Sequence, residues 1–239
     1  MGKFTVFGMG FAENMPKFSH TMNRSFIRVF STSSFVILLA ACGPKNETVK
    51  TDGAQEAART DAGTKEYTLA ENGTVLEWKA TEKVGGGHNG QIKVTGGTLG
   101  VEAGALKTGK FEIDMNTIRV DDITDPKKNA KLVGHLKNED FFAVDKFPTA
   151  TFEITAVEKG RVPDSAQVKG NLTIKGITKN IAIPARIVTD STRVDVAAAF
   201  SIDRTEWDIK YKSGKFFEDL GDNVINDAIQ FKLALKADR

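Results

Sequence analysis

From Tyr67 to the end of the chain, apolar and polar residues change places at every second position in a series of short runs. Phe111, Ile113 and Met115 alternate with Glu112, Asp114 and Asn116, while Ala150, Phe152 and Ile154 alternate with Thr151, Glu153 and Thr155. Leu172 and Ile174 follow the same rule against Thr173 and Lys175, as do Val194, Val196, Ala198, Phe200 and Ile202 with their neighbours. The final run sets Ile229, Phe231, Leu233 and Leu235 against Gln230, Lys232 and Lys236. Side chains of an extended chain point to opposite faces in turn, so this patterning predicts strands with one buried and one wet face. Turn residues at Gly96-Gly97, Lys159-Gly160 and Lys175-Gly176 punctuate the runs, and together they predict an antiparallel all-β domain.

One segment departs from the alternation. Asp125-Pro126 reads as an N-cap followed by proline at the first helical position, and a helix is expected from there through Ala130, Leu132 and Val133 to Leu136. Asn138-Glu139-Asp140 opens a further short turn before Phe141-Phe142, with Asp140 expected to cap it, and Pro148 returns the chain to extended form. With so little helix available to cover a sheet, the apolar strand faces must meet one another, in a sandwich or in a closed barrel. An eight-stranded barrel is filled by its own side chains or holds one ligand. Patterning alone leaves both choices open.

Ahead of the alternating region stand two very different segments. Arg24 and Arg28 precede the apolar stretch Phe35-Val36-Ile37-Leu38-Leu39, which ends in Ala40-Ala41-Cys42, the only cysteine of the chain. A charged flank, an apolar segment and small residues at the cut make up an export signal. The cysteine at the cut gives it the form of a bacterial lipoprotein signal, in which that residue becomes the acylated N-terminus. Residues 1–41 are therefore expected to be a signal region, with Met22 as the better start because Met22–Arg28 forms a compact basic opening. Gly43 to Thr64 is polar, with Val49 as its one large aliphatic, and residues 42–64 are expected to act as a flexible tether before a domain at 65–239.

Removal of the signal changes the charge picture. The segment ahead of Cys42 carries Lys3, Lys17, Arg24 and Arg28 against Glu13, a net +3, so a formal total of +2 becomes about −1 for the remainder. No electrostatic footprint for nucleic acid is left. Acylated Cys42 leaves no thiol for a disulfide or a nucleophile. The expected location is the cell envelope, as a periplasmic lipoprotein held to a membrane by its acyl chains. Gly43, in place of an aspartate after the cysteine, favours the outer membrane over the inner.

The segment His135-Leu136-Lys137-Asn138-Glu139-Asp140-Phe141-Phe142, followed by Lys146-Phe147-Pro148-Thr149-Ala150-Thr151-Phe152, resembles the most recognisable part of the YceI-like family. Gly170–Lys179 is similar to that family's next strand pair. Phe200–Trp207 and Gly86-Gly87-His88-Asn89-Gly90 match in character and order, so the resemblance covers roughly Tyr67 to Ala237. It implies a lipocalin-like antiparallel β-barrel that sequesters a polyisoprenoid or similar long lipid, without a cofactor and without catalysis. The candidate lumen residues are then Phe111, Ile113, Met115, Phe152, Ile154, Leu172, Ile174, Val196, Ala198, Phe200, Phe231 and Leu233. A homodimer is left open, as are two other roles: an enzyme acting on a hydrophobic substrate on the same scaffold, and a filled-barrel interaction module of the envelope.

Few residues offer chemistry beyond hydrocarbon. His88 and His135 are the only histidines after Cys42 and lack the spacing of a metal set, so each is expected at a loop or barrel mouth, with a headgroup contact as the functional alternative. Arg204 could meet an anionic headgroup, against the commoner outcome of an ion pair or a cation–π contact with Trp207. Gly85-Gly86-Gly87 lacks the Lys-Ser/Thr of a phosphate loop and is expected to bend a strand at a barrel corner. There is no Gly-x-Ser-x-Gly elbow and no convincing acid–base pair.

Overall fold

The computed structural model describes residues 47–70 and 74–239. Cys42, the signal region and Met22 lie outside the described residues. In chain order the strands are β1 (Thr51–Gly53), β2 (Lys65–Leu69), β3 (Val75–Thr81), β4 (Gly87–Glu102) and β5 (Ala105–Val120). Helix α1 (Pro126–Lys137) follows, then β6 (Thr149–Lys159), β7 (Ser165–Ile174), β8 (Ile177–Thr189), β9 (Arg193–Asp203) and β10 (Ala228–Asp238). From β4 to β10 each strand pairs antiparallel with its neighbour in the chain, and β10 pairs with β2 and β3, which pair in turn with β4. Because β2 and β3 share one place in the ring, the result is a closed eight-strand antiparallel barrel.

The predicted alternation is the wall of this barrel. Phe111, Ile113, Met115, Ile154, Leu172 and Ile174 are buried along the inner face, while Glu112 and Asn116 are exposed. Lys175 and Gly176 both take positive φ, 50° and 73°, and make the two-residue turn from β7 to β8. Gly96-Gly97, expected to be a turn, instead lies inside β4. The register with β5 slips between Val94 and Gly96, and a Cβ on Gly97 would stand 2.7 Å from the Lys110 carbonyl oxygen. The glycines there mark a bulge and a close approach of two backbones. Gly85–Gly87 is likewise not a corner within a strand. It closes the β3–β4 hairpin, where Gly85 and Gly87 have φ of 94° and 155°.

The two ends of the barrel are built differently. At one end lie α1, the loop 138–148 and the long connection from β9 to β10, with Leu136, Phe141, Val144, Trp207 and Ile209 buried in a single cluster. Helix α1 begins as expected, with Asp125 accepting from the Lys128 N–H at 2.8 Å and Pro126 in the first turn. The other end carries only the short hairpins β4–β5, β6–β7 and β8–β9, above which Tyr67, Val101, Leu106, Val194 and Ala237 form a second cluster.

Residues 47–64 correct the expectation of a free tether. β1 pairs with β8 through Thr51↔Ile181, Asp52↔Asn180 and Gly53↔Lys179, and the Val49 N–H donates to the Ser201 carbonyl of β9 at 2.7 Å. The segment therefore fits between two strands of the barrel. Room exists because β8 pairs with β9 only over Ala185–Thr189. Pro184, next in β8, has no N–H to give a ladder. Val49 packs against the main core cluster. The chain then crosses the outside of the wall, exchanging bonds between Gln55 and Asn171, and the Ala58 N–H caps the Ile154 carbonyl at 2.9 Å. A polar composition excludes a core but not backbone pairing, which needs no apolar side chain.

Phe152 and Glu153 test the two faces. Phe152→Asp should lower unfolding free energy by more than about 3 kcal/mol, the range for losing a core phenylalanine, while Glu153→Lys should stay within about 0.5 kcal/mol in urea melts. Equal losses at the two positions would mean that the assignment of inner and outer faces is wrong.

Candidate functional site

Inward side chains from β3–β10 do not meet at the centre of the barrel. They surround a cavity of about 110 Å³, small beside the roughly 300–1,000 Å³ of typical small-molecule pockets. All 25 lining residues are apolar, from Leu76 to Leu235. The twelve lumen candidates, Phe111, Ile113, Met115, Phe152, Ile154, Leu172, Ile174, Val196, Ala198, Phe200, Phe231 and Leu233, all lie on this wall. Two phenylalanine pairs shape it: Phe111 and Phe152 stack at 6.4 Å between centroids, and Phe200 and Phe231 at 5.6 Å. Gly170 lets Phe152 sit back into the wall, since a Cβ there would come within 2.3 Å of its ring. Small side chains at Ala150, Ala185 and Ala198 keep the lumen open beside these rings. Such a space offers hydrocarbon contact and nothing for a polar ligand to bond.

The three polar candidates do not line the lumen. His88 Nδ1 stands 2.8 Å from Asp122 Oδ2 at the exposed start of β4, and Asp122 also accepts from the Asn89 N–H at 3.0 Å. Burial pushes the Asp122 carboxyl up, but the Asn89 N–H and the His88 ring outweigh it and hold the group below its ordinary value. His135 Nε2 stands 3.0 Å from Asp140 Oδ2, with its ring edge-on to Phe141 at 5.0 Å and to Tyr211 at 4.7 Å. Asp140 is therefore not the cap expected for the Phe141 turn. Asn138 holds that place instead, accepting from the Asp140 N–H at 2.9 Å.

Arg204 is buried and structural. Its guanidinium donates to the carbonyl oxygens of Ile209 at 2.9 Å and Ile225 at 3.1 Å and lies 3.2 Å from Asp227. Burial pushes its pKa down against the charge of Asp227. It ties the β9–β10 connection together, and Trp207 does not pair with it: the indole Nε1–H donates to the Leu172 carbonyl at 3.1 Å. Among the described residues no three His, Cys, Asp or Glu side chains gather as a metal set.

The YceI-like domain model matches residues 67–237, most of the chain and nearly all of the barrel. The chain belongs to the YceI-like family. A UPF0312 protein of Pseudomonas aeruginosa is 40% identical over 79 residues, which are 33% of this chain and 38% of that protein. Protein YceI of Salmonella arizonae is 32% identical over 99 residues, 41% of this chain and 48% of the relative. The chain thus spans less than half the length of these curated relatives. Among solved structures, BcnA of Burkholderia cenocepacia superposes with a TM-score of 0.57 at 17% identity, covering 71% of this chain and 99% of that one. A polyisoprenoid binding domain from Saccharophagus degradans gives 0.53 at 14% identity, covering 72% and 97%. At such identities the likeness is one of fold.

Several lumen residues of this YceI-like barrel carry no clear signal in the sequence. Ile92, Val94 and Leu99 sit on β4 among five glycines, which break the alternation. Ile181, Ile183 and Ala185 do alternate along β8, but Asn180 and Pro184 beside them read as turn residues. Phe142 reaches the cavity from outside the strands, and only its place after a short turn points to it.

Stability at the α1 end should depend on acid. Burial pushes the Asp203 carboxyl up, yet the Lys215 ammonium and the Thr205 hydroxyl and N–H outweigh it and hold the group below its ordinary value. The fold then favours the ionised form. Its contribution is present above the unfolded carboxylate pKa of about 3.9 and is lost as pH falls through the depressed folded value. Asp203→Asn should lower the melting temperature by a few degrees at pH 7, and the gap from the parent should narrow as pH falls below the ordinary carboxylate range. A gap that keeps its size across that fall would refute this.

Proposed function

We propose that this protein binds a long apolar lipid, a polyisoprenoid or an isoprenoid quinone, within the barrel lumen, and that acylated Cys42 holds it to a membrane of the cell envelope. The wholly apolar wall around an unfilled centre carries the reading of the lumen. The solved Saccharophagus degradans domain of the same fold, named for polyisoprenoid binding, supports it. The role is sequestration or carriage rather than catalysis, since His88 and His135 are each paired with a carboxylate away from the cavity. The sequence around Cys42 supports the anchor and the periplasmic side.

Hydrocarbon burial contributes about 0.8 kcal/mol per CH₂, so each five-carbon isoprene unit adds on the order of 3–4 kcal/mol before ordering costs. Binding should therefore follow chain length. Delipidated protein titrated with prenyl alcohols of increasing length should show affinity rising until the lumen is full. His88→Ala and His135→Ala should each change it less than about threefold. Ala198→Trp, which fills the lumen, should abolish binding while the β signal in circular dichroism persists. Affinity indifferent to length, but lost in one polar variant, would overturn the lumen reading.

The anchor has its own test. Cys42→Ala should leave the barrel folded and move the protein from the membrane to the soluble fraction. Retention of the variant on membranes after a high-salt wash would place the anchor elsewhere.

A further inference from the structure

The segment ahead of the barrel joins the wall at one particular place. Val49, whose N–H is bonded to the Ser201 carbonyl, sits two residues along β9 from Asp203 and eight from Arg193. At about 3.3 Å per residue, that is roughly 7 Å from the α1 end of the strand and roughly 26 Å from the other. From Cys42 to Val49 a fully extended backbone reaches at most about 25 Å. A bilayer that holds Cys42 lies within that reach of Val49, and of the two barrel ends the α1 end is the nearer.

The connection that leaves this end of β9 carries an exposed aromatic pair. Phe216 and Phe217 are 50% and 49% exposed, and among the described residues no other phenylalanine, tyrosine or tryptophan is so open to solvent. Their loop lies beside the end of β9, because the Lys215 ammonium is bonded to the Asp203 carboxylate. It is also held in place: Ser213 is fully buried, and its carbonyl accepts from the Phe216 and Phe217 N–H groups, each at 3.1 Å. Val84, 54% exposed, tips the adjoining β3–β4 hairpin, which the Lys83 N–H ties to the Val224 carbonyl at 2.8 Å. A Cβ on Gly214 of the aromatic loop would stand 3.4 Å from that same Val224. Two phenyl rings fixed in water are unfavourable unless an apolar partner covers them.

Charge narrows the kind of partner. In this loop Lys210, Lys212 and Lys215 are matched by Asp208, Glu218 and Asp219. The Lys210 ammonium lies 4.9 Å from the centre of the Phe216 ring and 2.6 Å from Asp208. Balanced charges around an apolar tip suit zwitterionic headgroups, with the rings below them at the acyl boundary.

We propose that Phe216 and Phe217, with Val84 on the adjoining hairpin, form a membrane-seating surface that rests the α1 end of the barrel on the bilayer holding Cys42. It rests on the anchor reading above, adds a second and shallow attachment to the acyl chains, and turns the short-hairpin end away from that bilayer.

The test places the full acylated chain in phosphatidylcholine vesicles with brominated acyl chains, which quench tryptophan on contact. Phe217→Trp should be quenched at least about threefold more than Val162→Trp at the opposite end, once the signal of buried Trp78 and Trp207 in the parent is subtracted. On Cys42→Ala protein, which should bind such vesicles only weakly, Phe216→Ser with Phe217→Ser should lower partitioning at least about tenfold and leave the urea midpoint unchanged. Adding anionic lipid should change partitioning of the Cys42→Ala protein less than about threefold. Equal quenching at 217 and 162 on vesicle-bound protein, or unaltered partitioning in the double variant, would overturn the surface and leave the anchor standing. A Cys42→Ala dimer that the double variant dissolves would make the pair an interface between two copies and overturn it too. Failure of the full chain to bind vesicles would overturn the anchor reading and the surface with it.

Discussion

The pairing of β10 on both of its edges is the interaction on which the interior depends. Along one edge it meets β9 from Asp203↔Ala228 to Arg193↔Asp238, and along the other it meets β3 and then β2. Those bonds bring the last strand back to the first, and the sheet is left with no long free edge. They also force every inward side chain into one shared space. Phe231 and Leu233 reach that space only because β10 is held between Phe200 and Ala198 on one side and Trp78 and Leu76 on the other. Without closure, the residues that wall the lumen would form an apolar face open to water.

The ends of the barrel divide the work. Towards α1, buried Trp207, Leu136 and Phe141 are locked by polar contacts in the same region: the indole on the Leu172 carbonyl, Arg204 on two carbonyls and Asp227, and Asp203 with Thr205 and Lys215. That end is a stopper, rich in fixed contacts. Opposite, the connections are short turns at Ala103-Gly104, residues 160–164 and residues 190–192, and β5 parts from β6. That end has fewer contacts to break and is the one where local opening costs least.

Much of this architecture is legible in the residues themselves. Where one face of a strand is apolar throughout, as in Phe111–Met115 or Val194–Ile202, period-two alternation names both the strand and its inward side. It fails where the inward position is a glycine, because Gly90, Gly97 and Gly109 answer to the close approach of neighbouring atoms and leave no trace in hydropathy. It fails for Val49–Ala58, whose hold on the wall is almost entirely backbone. It misplaces Arg204, since a lone cation in sequence looks the same whether it faces a ligand or a cage of carbonyl oxygens.

The strand inserted between β8 and β9 has a mechanical meaning. Any pull arriving along the chain ahead of Val49 reaches the wall through one backbone bond to Ser201 and three residue pairs with β8 before it reaches another contact. The seam takes the load first, while the pairing of β10 on either side is untouched. Should Val49 to Ala58 come away, that stretch would pay out as slack of roughly 30–35 Å at full extension. The same few bonds that fill the slit thus also hold that slack in reserve.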